Sequence, residues 1–263
     1  MSTGLRGDLT GRVVVVTGGT QGVGHAAARR VAEWGAAGVV ICGRDAAKGR
    51  AAAAAIGPCA VFVAADLADP AAPAAVMAAC DAAFGRLDGL VNAAALTDRG
   101  GLPDADAAFI DRMLAVNLRA PFLLMQEAAR RMAAGGAIVN VLSVNAHCGA
   151  PELAAYAASK GGLATLTRNA ANTLARRRIR VNGINLGWTD TPAEHLVQRR
   201  VTGDDDWLAR AAASVPFGRL IDVEELADLI AFLLSRHAGV MTGALIDYGQ
   251  TVLGAPPPPR EDR

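Results

Sequence analysis

Seven short apolar runs alternate with longer, alanine-rich segments along most of this chain. The runs are RVVVVT (12–17), GVVIC (38–42), AVFVA (60–64), DGLVNA (88–93), AIVNVLS (137–143), RIRVNGIN (178–185) and ALID (244–247). Continuous runs of Val, Ile and Leu of this length are typical of strands that are buried on both faces. Stretches long enough for a helix separate nearly all of them. The pattern therefore predicts an α/β fold, with a doubly wound parallel sheet and helices on both of its faces.

Length and charge fit that architecture and argue against several other classes of protein. A chain of 263 residues, 52% of them hydrophobic, can bury a substantial core. The net charge of +1 gives no bulk electrostatic reason to bind nucleic acid or a membrane. We interpret the basic run at residues 176–180 as a helix C-terminus, where cations complement the helix dipole.

The cysteines, the histidines and the two chain ends carry weaker signals. No Cys or His spacing is typical of metal ligands, so we expect reduced thiols and no metal. The first residues carry charges and glycines rather than an apolar signal segment, and no apolar run is long enough to span a bilayer. These features favour the cytoplasm. Residues 254–263 are rich in proline and charge, which predicts a disordered tail.

A glycine-rich segment, TGGTQGVG (17–24), follows the first predicted strand and precedes a helix-forming segment. Its glycines allow a sharp turn and let backbone amides approach an anion in front of the positive end of the next helix. A glycine-rich loop alone is often only a turn, but a strand before it and a helix after it are the context that phosphate binding requires. The segment therefore predicts a dinucleotide site at the carboxyl ends of the strands.

The glycine spacing, Gly-x-x-x-Gly-x-Gly, resembles that of the short-chain dehydrogenase/reductase family, and the likeness covers roughly residues 8–253. NAAA (92–95) stands where the family usually has NNAG, and NLGWTDT (185–191) stands where it has NPGxxxT. The resemblance implies a Rossmann-type single domain over residues 1–253, an NAD(P)-dependent alcohol–ketone oxidoreductase and a homotetramer. The cofactor contacts that it implies are Gly18, Thr20, Gln21, Gly22, Val23, Gly24, Asp66, Leu67, Asn92, Tyr156, Lys160, Gly187, Thr189 and Thr191.

The segment YAASK (156–160) places Tyr156 and Lys160 four residues apart, on one face of a helix. Free tyrosine has a pKa of about 10, too high for an efficient base at neutral pH, and a nearby ammonium group lowers that pKa. Ser143, at the end of a predicted strand, is close enough in sequence to reach the tyrosine. All three match catalytic positions of the family: Ser143 would hold the substrate oxygen, Tyr156 would carry the proton, and Lys160 would also bind a ribose hydroxyl.

Asn117 matches the fourth catalytic position of the family, inside a segment (108–134) that otherwise resembles one long helix. The alternative is an ordinary solvent-facing helix position. Pro121, four residues later, has no amide hydrogen to donate to the carbonyl of Asn117. That carbonyl would then be free to hold a water, as the family's asparagine is thought to do near the lysine.

The second predicted strand ends in VVICGRD and lacks an acidic residue where one would bind the ribose hydroxyls of NAD. Gly43 occupies that position, and Arg44 can hold a 2′-phosphate. Asp45 could reach the ribose, but we favour its role as a helix N-cap. NADP is therefore predicted in preference to NAD.

The substrate should bind between residues 144–153 and a mobile lid over residues 188–215. Candidate contacts are Asn145, His147, Trp188, Glu194 and His195, although the histidines also fit ordinary surface positions. Their polarity favours a hydroxylated substrate, such as a sugar or polyol. Leu186 replaces the usual family proline, which adds an amide donor and weakens the transfer of detail to Thr189 and Thr191.

The same residues leave two alternative functions open and also predict contacts between subunits. The alternatives are an NAD-linked catabolic dehydrogenase on this fold and a non-catalytic nucleotide-binding or regulatory protein. The complete set of four catalytic positions argues against the second of these. Small residues in 108–134 and in the helix that begins near Leu153 favour helix contacts between subunits, unless they reflect a general alanine bias. Ala170 and Ala171 are the candidate interface positions, if either faces outward.

Overall fold

Parallel strands form a single sheet in the order β3-β2-β1-β4-β5-β6-β7, as the computed structural model, which describes residues 8–252 and 254–255, shows. The strands are β1 (Val13–Thr17), β2 (Gly38–Gly43), β3 (Ala60–Ala64), β4 (Gly89–Asn92), β5 (Ala137–Val141), β6 (Arg180–Leu186) and β7 (Leu245–Tyr248). Every predicted strand is confirmed, with ends that differ by at most two residues.

Helices cover both faces of this sheet, as predicted. Among the described residues they are α1 (Gly22–Glu33), α2 (Ala46–Ile56), α3 (Ala72–Phe84), α4 (Ala107–Leu114), α5 (Ala120–Arg131), α6 (Ala154–Leu174), α7 (Pro192–Thr202), α8 (Trp207–Ser214) and α9 (Val223–Leu234). Helices α3, α5 and α6 supply one apolar core and α1, α2 and α9 the other. Val13 and Val15 of β1 face the first core, and Val14 and Val16 face the second. Both faces of the strand are thus buried, which explains its unbroken valine run.

The order of the strands decides where a ligand can bind. β1 pairs with β2 on one side and with β4 on the other, so the chain leaves β1 toward opposite halves of the sheet. A crevice opens where the strand order reverses, at the carboxyl ends of the strands. The loops after β1, β4 and β5 therefore meet at one edge of the sheet.

The segment predicted as one long helix contains a change of helix type. α4 is followed by a π-helical turn, Ala115–Arg119, and then by α5. Within this turn the amide of Ala120 donates to the carbonyl of Ala115, five residues back. Pro121 lies in the first turn of α5, where its missing amide hydrogen removes one ordinary helical bond. Asn117 is fully buried in the π-helical turn, so it is not a solvent-facing helix residue.

Three further predictions can be compared with the fold. The basic run follows α6, and Arg177 donates to the carbonyl of Met132 at 2.8 Å, in line with a helix C-terminus. Ala170 and Ala171 are 9% and 3% exposed and pack in the core, so neither can be an interface position. Most of the predicted tail, residues 256–263, lies outside the described residues. Within the described ranges, no helix is both long enough and apolar enough to cross a membrane.

Candidate active site

A cavity of about 670 Å³ opens at the carboxyl edge of the sheet. Segments that follow β1 through β6 all contribute to its wall. Of the predicted cofactor contacts, Asn92 alone is absent from its lining. The geometry therefore brings together nearly all the residues that the sequence selected for dinucleotide binding.

The glycine-rich loop owes its shape to two close backbone approaches. Gly18 has φ +68°, and a Cβ there would lie 2.8 Å from Cα of Ala94 in the loop after β4. A Cβ on Gly24 would lie 2.4 Å from the carbonyl oxygen of Gly18. A side chain is thus excluded at both glycines, and the first turn of α1 carries no acidic residue. This cradle of small residues at a helix N-terminus fits the pyrophosphate of a dinucleotide.

The end of β2 presents one cationic side chain, that of Arg44, and no acidic side chain to the cavity. Asp45 caps α2, because its Oδ1 accepts from the amides of Ala47 (2.9 Å) and Lys48 (3.0 Å). Arg44 is exposed and lines the cavity. Lys48, which the sequence reading did not select, donates from Nζ to Oε1 of Gln21 at 3.1 Å. A side chain at Gly43 would press against Thr20, 2.7 Å away, so an acid there would not fit without movement.

Asp66 and Leu67 line the cavity after β3, whereas Asn92 does not. A hydrogen bond from the amide of Ala68 lowers the pKa of Asp66, and Arg112 adds to the effect through a 3.2 Å contact. Asn92 is 2% exposed and donates to Oδ1 of Asn140 at 2.8 Å. It therefore ties the ends of β4 and β5 together instead of lining the cavity as predicted.

Ser143, Tyr156 and Lys160 meet on the wall beyond β5. The side chain of Ser143 accepts from the amide of Asn145 at 3.1 Å, which fixes the start of the following loop. Lys160 is 2% exposed, and its Nζ donates to the carbonyl of Val141 at 2.7 Å. The same Nζ lies 5.8 Å from the centre of the Tyr156 ring. The YAASK spacing thus delivers both side chains to one wall.

Burial dominates the protonation of both groups. It lowers the pKa of Lys160 from its ordinary 10.5 to about 8. It also raises the pKa of Tyr156, while a hydrogen bond to Ser143 acts in the opposite direction. We predicted that Lys160 would lower the pKa of Tyr156. In the chain without a bound cofactor, burial of the tyrosine outweighs that effect.

Asn117 does not line the cavity, and its side chain instead contacts the loop after β4. Its Oδ1 accepts from the amide of Leu96 at 2.8 Å, and its Nδ2 donates to the carbonyl of Leu96 at 2.9 Å. Nδ2 also donates to Oγ of Ser159 (3.1 Å), which in turn donates to the carbonyl of Tyr156 (2.7 Å). The side chain of Asn117 thus connects the loop after β4 with the helix that carries the tyrosine.

The residues after β6 follow two patterns. Gly187, Thr189 and Thr191 line the cavity, and Thr191 caps α7 by accepting from the amide of Glu194 at 3.1 Å. Leu186 extends β6, where it pairs with Tyr248 of β7. The substitution for proline therefore lengthens the strand while both threonines remain at the cavity wall.

The candidate substrate contacts divide into two groups. Asn145, Trp188 and Glu194 line the cavity, whereas His147 and His195 do not. His147 is exposed, with Nε2 3.3 Å from Nδ2 of Asn185. His195 has Nε2 2.7 Å from Oδ1 of Asp190, and its ring lies edge-on to Trp207. The structure therefore places both histidines outside the predicted pocket.

Comparison with known proteins agrees with this geometry. A family profile described as enoyl-(acyl carrier protein) reductase matches residues 18–251. The cis-4-hydroxycyclohexanecarboxylate dehydrogenase of Sinomonas cyclohexanicum is 40% identical over 251 residues, or 92% of this chain and 97% of that protein. The L-rhamnose 1-dehydrogenase (NAD(P)(+)) of Azotobacter vinelandii is 35% identical over 92% of this chain and 97% of its own. The crystal structure of a Burkholderia cenocepacia short-chain dehydrogenase in complex with NADP superposes with a TM-score of 0.83, at 33% identity, over 92% of this chain and 98% of that one.

The chain belongs to the short-chain dehydrogenase/reductase family. It is an NAD(P)-dependent oxidoreductase of the alcohol–ketone class. Among the described residues of this short-chain dehydrogenase/reductase, no three His, Cys, Asp or Glu side chains converge on a possible metal position.

Sequence reasoning did not select several polar residues of the cavity, among them Arg99, Arg112 and Gln198. Arg99 follows the end of β4, an edge at which any polar residue is a candidate. Gln198 lies four residues after Glu194, and that spacing places both on one face of α7. Arg112 gave no comparable signal, because only the fold brings α4 to the cavity.

Proposed function

We propose that this protein interconverts a secondary alcohol and a ketone, with NADP preferred over NAD and a proton relay through Tyr156. The single observation that carries the proposal is the meeting of Ser143, Tyr156 and Lys160 on the wall of the cavity that the glycine-rich loop closes. A nicotinamide bound in this cavity supplies the hydride acceptor or donor. A binding or regulatory protein would have no need of these three residues together.

The chain's own groups have distinct tasks in this proposal. The Ser143 hydroxyl holds the substrate oxygen by a hydrogen bond, and the Tyr156 hydroxyl takes or gives its proton. Lys160, fixed by the carbonyl of Val141, supplies a positive charge near the phenol. The carbonyl of Asn117 cannot accept from residue 121, which is proline, and is offered to a water that continues the relay.

The preference for NADP rests on the end of β2. Arg44 is exposed at the cavity and free to meet a 2′-phosphate, while Lys48 lies close by on Gln21. Asp45 caps α2 through Oδ1 and does not line the cavity. A 2′-phosphate therefore meets cationic groups there, and the ribose hydroxyls of NAD would meet no free acid. The NADP named for the Burkholderia structure supports this choice.

We propose a small hydroxylated molecule as the substrate. The named relatives act on a hydroxycyclohexanecarboxylate and on rhamnose, each of which carries at least one secondary hydroxyl. In this chain Asn145, Trp188 and Glu194 offer polar atoms beside the catalytic wall. Residues 188–215, which contain α7 and α8, form the lid of the cavity in this proposal.

The substitution Tyr156→Phe tests the relay. It removes the proton carrier, so turnover should fall by at least about 10²-fold, the scale of general acid–base catalysis. Binding of NADP, measured by calorimetry, should stay within a few-fold of the parent. The control is Tyr248→Phe, which removes the same hydroxyl from a tyrosine on β7 outside the cavity. Turnover by Tyr156→Phe within a few-fold of the parent would contradict the proposal.

A further inference from the structure

A second cavity, of about 480 Å³, adjoins the active-site cavity beneath α7. Leu96, Arg99 and Arg112 line both spaces, so the two cavities are neighbours. We call this second space the outer chamber. Its lining consists of Leu96, Asp98, Arg99, Phe109, Arg112, Met113, Val197, Arg200 and Val201.

The outer chamber is positively charged. Its three arginines and one aspartate give the lining a formal charge of +2. Arg112 is partly neutralised, because it lies 3.2 Å from Asp66. Arg200 has no ion pair or side-chain hydrogen bond with any part of the chain that the structure describes, and it projects from the lid helix α7. An anion entering this space would therefore meet a lining of net positive charge, in which Arg200 has no ion-pair partner among the described residues.

Arg99 stands at the boundary between the two spaces with most of its donors unused. Its side chain is 26% exposed. Nη1 donates to the carbonyl of Thr97 at 2.9 Å, and Nη2 is 3.9 Å from Oε1 of Glu194, beyond hydrogen-bonding distance. A guanidinium group has five N–H donors, and within residues 8–252 no other acceptor meets those of Arg99.

Glu194 offsets part of the charge of Arg99, but its carboxylate is hydrogen-bonded to other side chains. Its Oε1 accepts from Nε1 of Trp188 at 2.9 Å and from Nε2 of Gln198 at 2.7 Å. The carboxylate is therefore already held by two donors of the lid segment. A carboxylate from a ligand could take a shorter, two-pronged contact with Arg99 than Glu194 makes.

Apart from the arginines and Asp98, the lining of the outer chamber is apolar. Leu96, Phe109, Met113, Val197 and Val201 surround the arginines. Such a lining fits a hydrocarbon spacer better than a chain of hydroxyl groups, which would lose hydrogen bonds to water without replacement.

We propose that the substrate carries a carboxylate, joined through a hydrocarbon spacer to the carbon that reacts at Tyr156. In this arrangement Arg99 and Arg200 bind the carboxylate and thereby set the specificity. The inference rests on the proposed function for the identity of the reacting carbon, but the carboxylate site itself can be tested without turnover.

Calorimetric binding of unreactive analogues to the full chain, saturated with NADP, makes that test. The probes are cyclohexanecarboxylate and hexanoate, each paired with its uncharged primary amide of the same shape. The parent should bind each acid at least about 10-fold more tightly than the amide, the effect of a charged hydrogen-bond partner. Arg99→Gln and Arg200→Gln should each reduce that ratio at least about 3-fold, and 0.5 M salt should reduce it in the parent.

Arg199→Gln is the matched control. Arg199 is the neighbour of Arg200 on α7, pairs with Asp205 at 3.3 Å and lines neither cavity. It should leave the ratio of acid to amide binding unchanged. Because Arg200 is exposed, its substitution should not prevent folding.

Three results would overturn the inference. The first is an acid that binds no more tightly than its amide, including the case in which neither binds. The second is a preference that survives both Arg99→Gln and Arg200→Gln. The third is an Arg200→Gln variant that loses affinity for NADP and keeps its preference for acids, which would assign the outer chamber to cofactor phosphate. Failure of the proposed function would look different, since no ketone would be reduced while the acid preference persisted.

Discussion

Lys160 holds its ammonium group where water scarcely reaches, and this has a cost for stability. Its pKa is near 8 in the folded chain and 10.5 when exposed, so between these values the unfolded chain binds a proton that the folded chain lacks. The stability of the folded state therefore rises with pH across that interval.

The variant Lys160→Met should remove this dependence. We expect the difference in free energy of unfolding, variant minus parent, to be larger at pH 7 than at pH 10. The change should be about 2–3 kcal/mol, because each pKa unit corresponds to about 1.4 kcal/mol. Loss of the hydrogen bond to Val141 also changes the free energy of unfolding of the variant, but this change does not follow the titration of Lys160. Urea denaturation at several pH values measures the trend, and a constant difference between variant and parent would refute it.

Arg44 gives a prediction for cofactor choice. Arg44→Ala should weaken NADP binding by about 1–3 kcal/mol, the range for losing a charged hydrogen-bond partner, and should change NAD binding little. Arg50→Ala, on the exposed side of α2 and outside the cavity, serves as the control. Titration with both nucleotides provides the measurement. A parent protein that binds NAD more tightly than NADP would exclude the preference.

At the residue scale, the sequence was informative where one chemistry demands a fixed spacing. Tyr156 and Lys160 could be placed together because helix geometry alone puts positions four apart on one face. His147 and His195 could not be placed in the same way, since each lies in a segment whose direction depends on contacts with Asn185 and with Trp207. Arg99 and Arg200 line one cavity only because the fold brings α7 to the loop after β4.

At the scale of elements, the strands were predictable and the π-helical turn was not. Burial on both faces leaves a strong mark on composition, as the valines of β1 show. A π-helical turn replaces hydrogen bonds between residues four apart with bonds between residues five apart. It leaves the spacing of apolar residues in the flanking helices almost unchanged. Pro121 was the one local signal, and it indicated a free carbonyl without indicating that Asn117 would be buried.

Pro121→Ala tests whether this turn positions the site. Alanine restores an amide donor, which favours an ordinary α-helix through Asn117 and shifts its contacts with Leu96. Turnover should fall by about 10-fold or more, as misplacement of supporting groups does, while the Tm stays close to that of the parent. Pro73→Ala, in the first turn of α3, is the control and should keep full turnover. Equal turnover in both variants would argue against a positioning role for the turn.

At the scale of the whole molecule, assembly is open to a direct test. We propose that the outward faces of α5 and α6 form a contact between subunits. Phe122 on α5 is 49% exposed, and Thr165 on α6 is exposed as well, whereas Ala170 and Ala171 face the core. An exposed phenylalanine beside small residues is poorly explained as solvated surface.

Phe122→Glu should therefore divide the assembly, because a two-fold interface receives the added charge twice. Light scattering should give four times the chain mass of 26.9 kDa for the parent and a smaller mass for the variant. Ala54→Glu, on the exposed side of α2, is the control and should keep the parental mass. A monomeric parent at micromolar concentration would disprove the tetramer.

The central position of β1 has a consequence for how the protein acquires its site over time. β1 pairs with β4, so Val14 must find Gly89 across a long stretch of intervening chain, and the loop after β1 then packs against Ala94. Pairings between residues so distant in sequence form slowly, because the loop between them must close first. Local helices can form early, but the phosphate cradle exists only after the middle of the sheet has assembled. During synthesis the glycine-rich loop therefore emerges well before β4 and the residues that complete its cradle, and until then the apolar strands around it stay exposed to other chains.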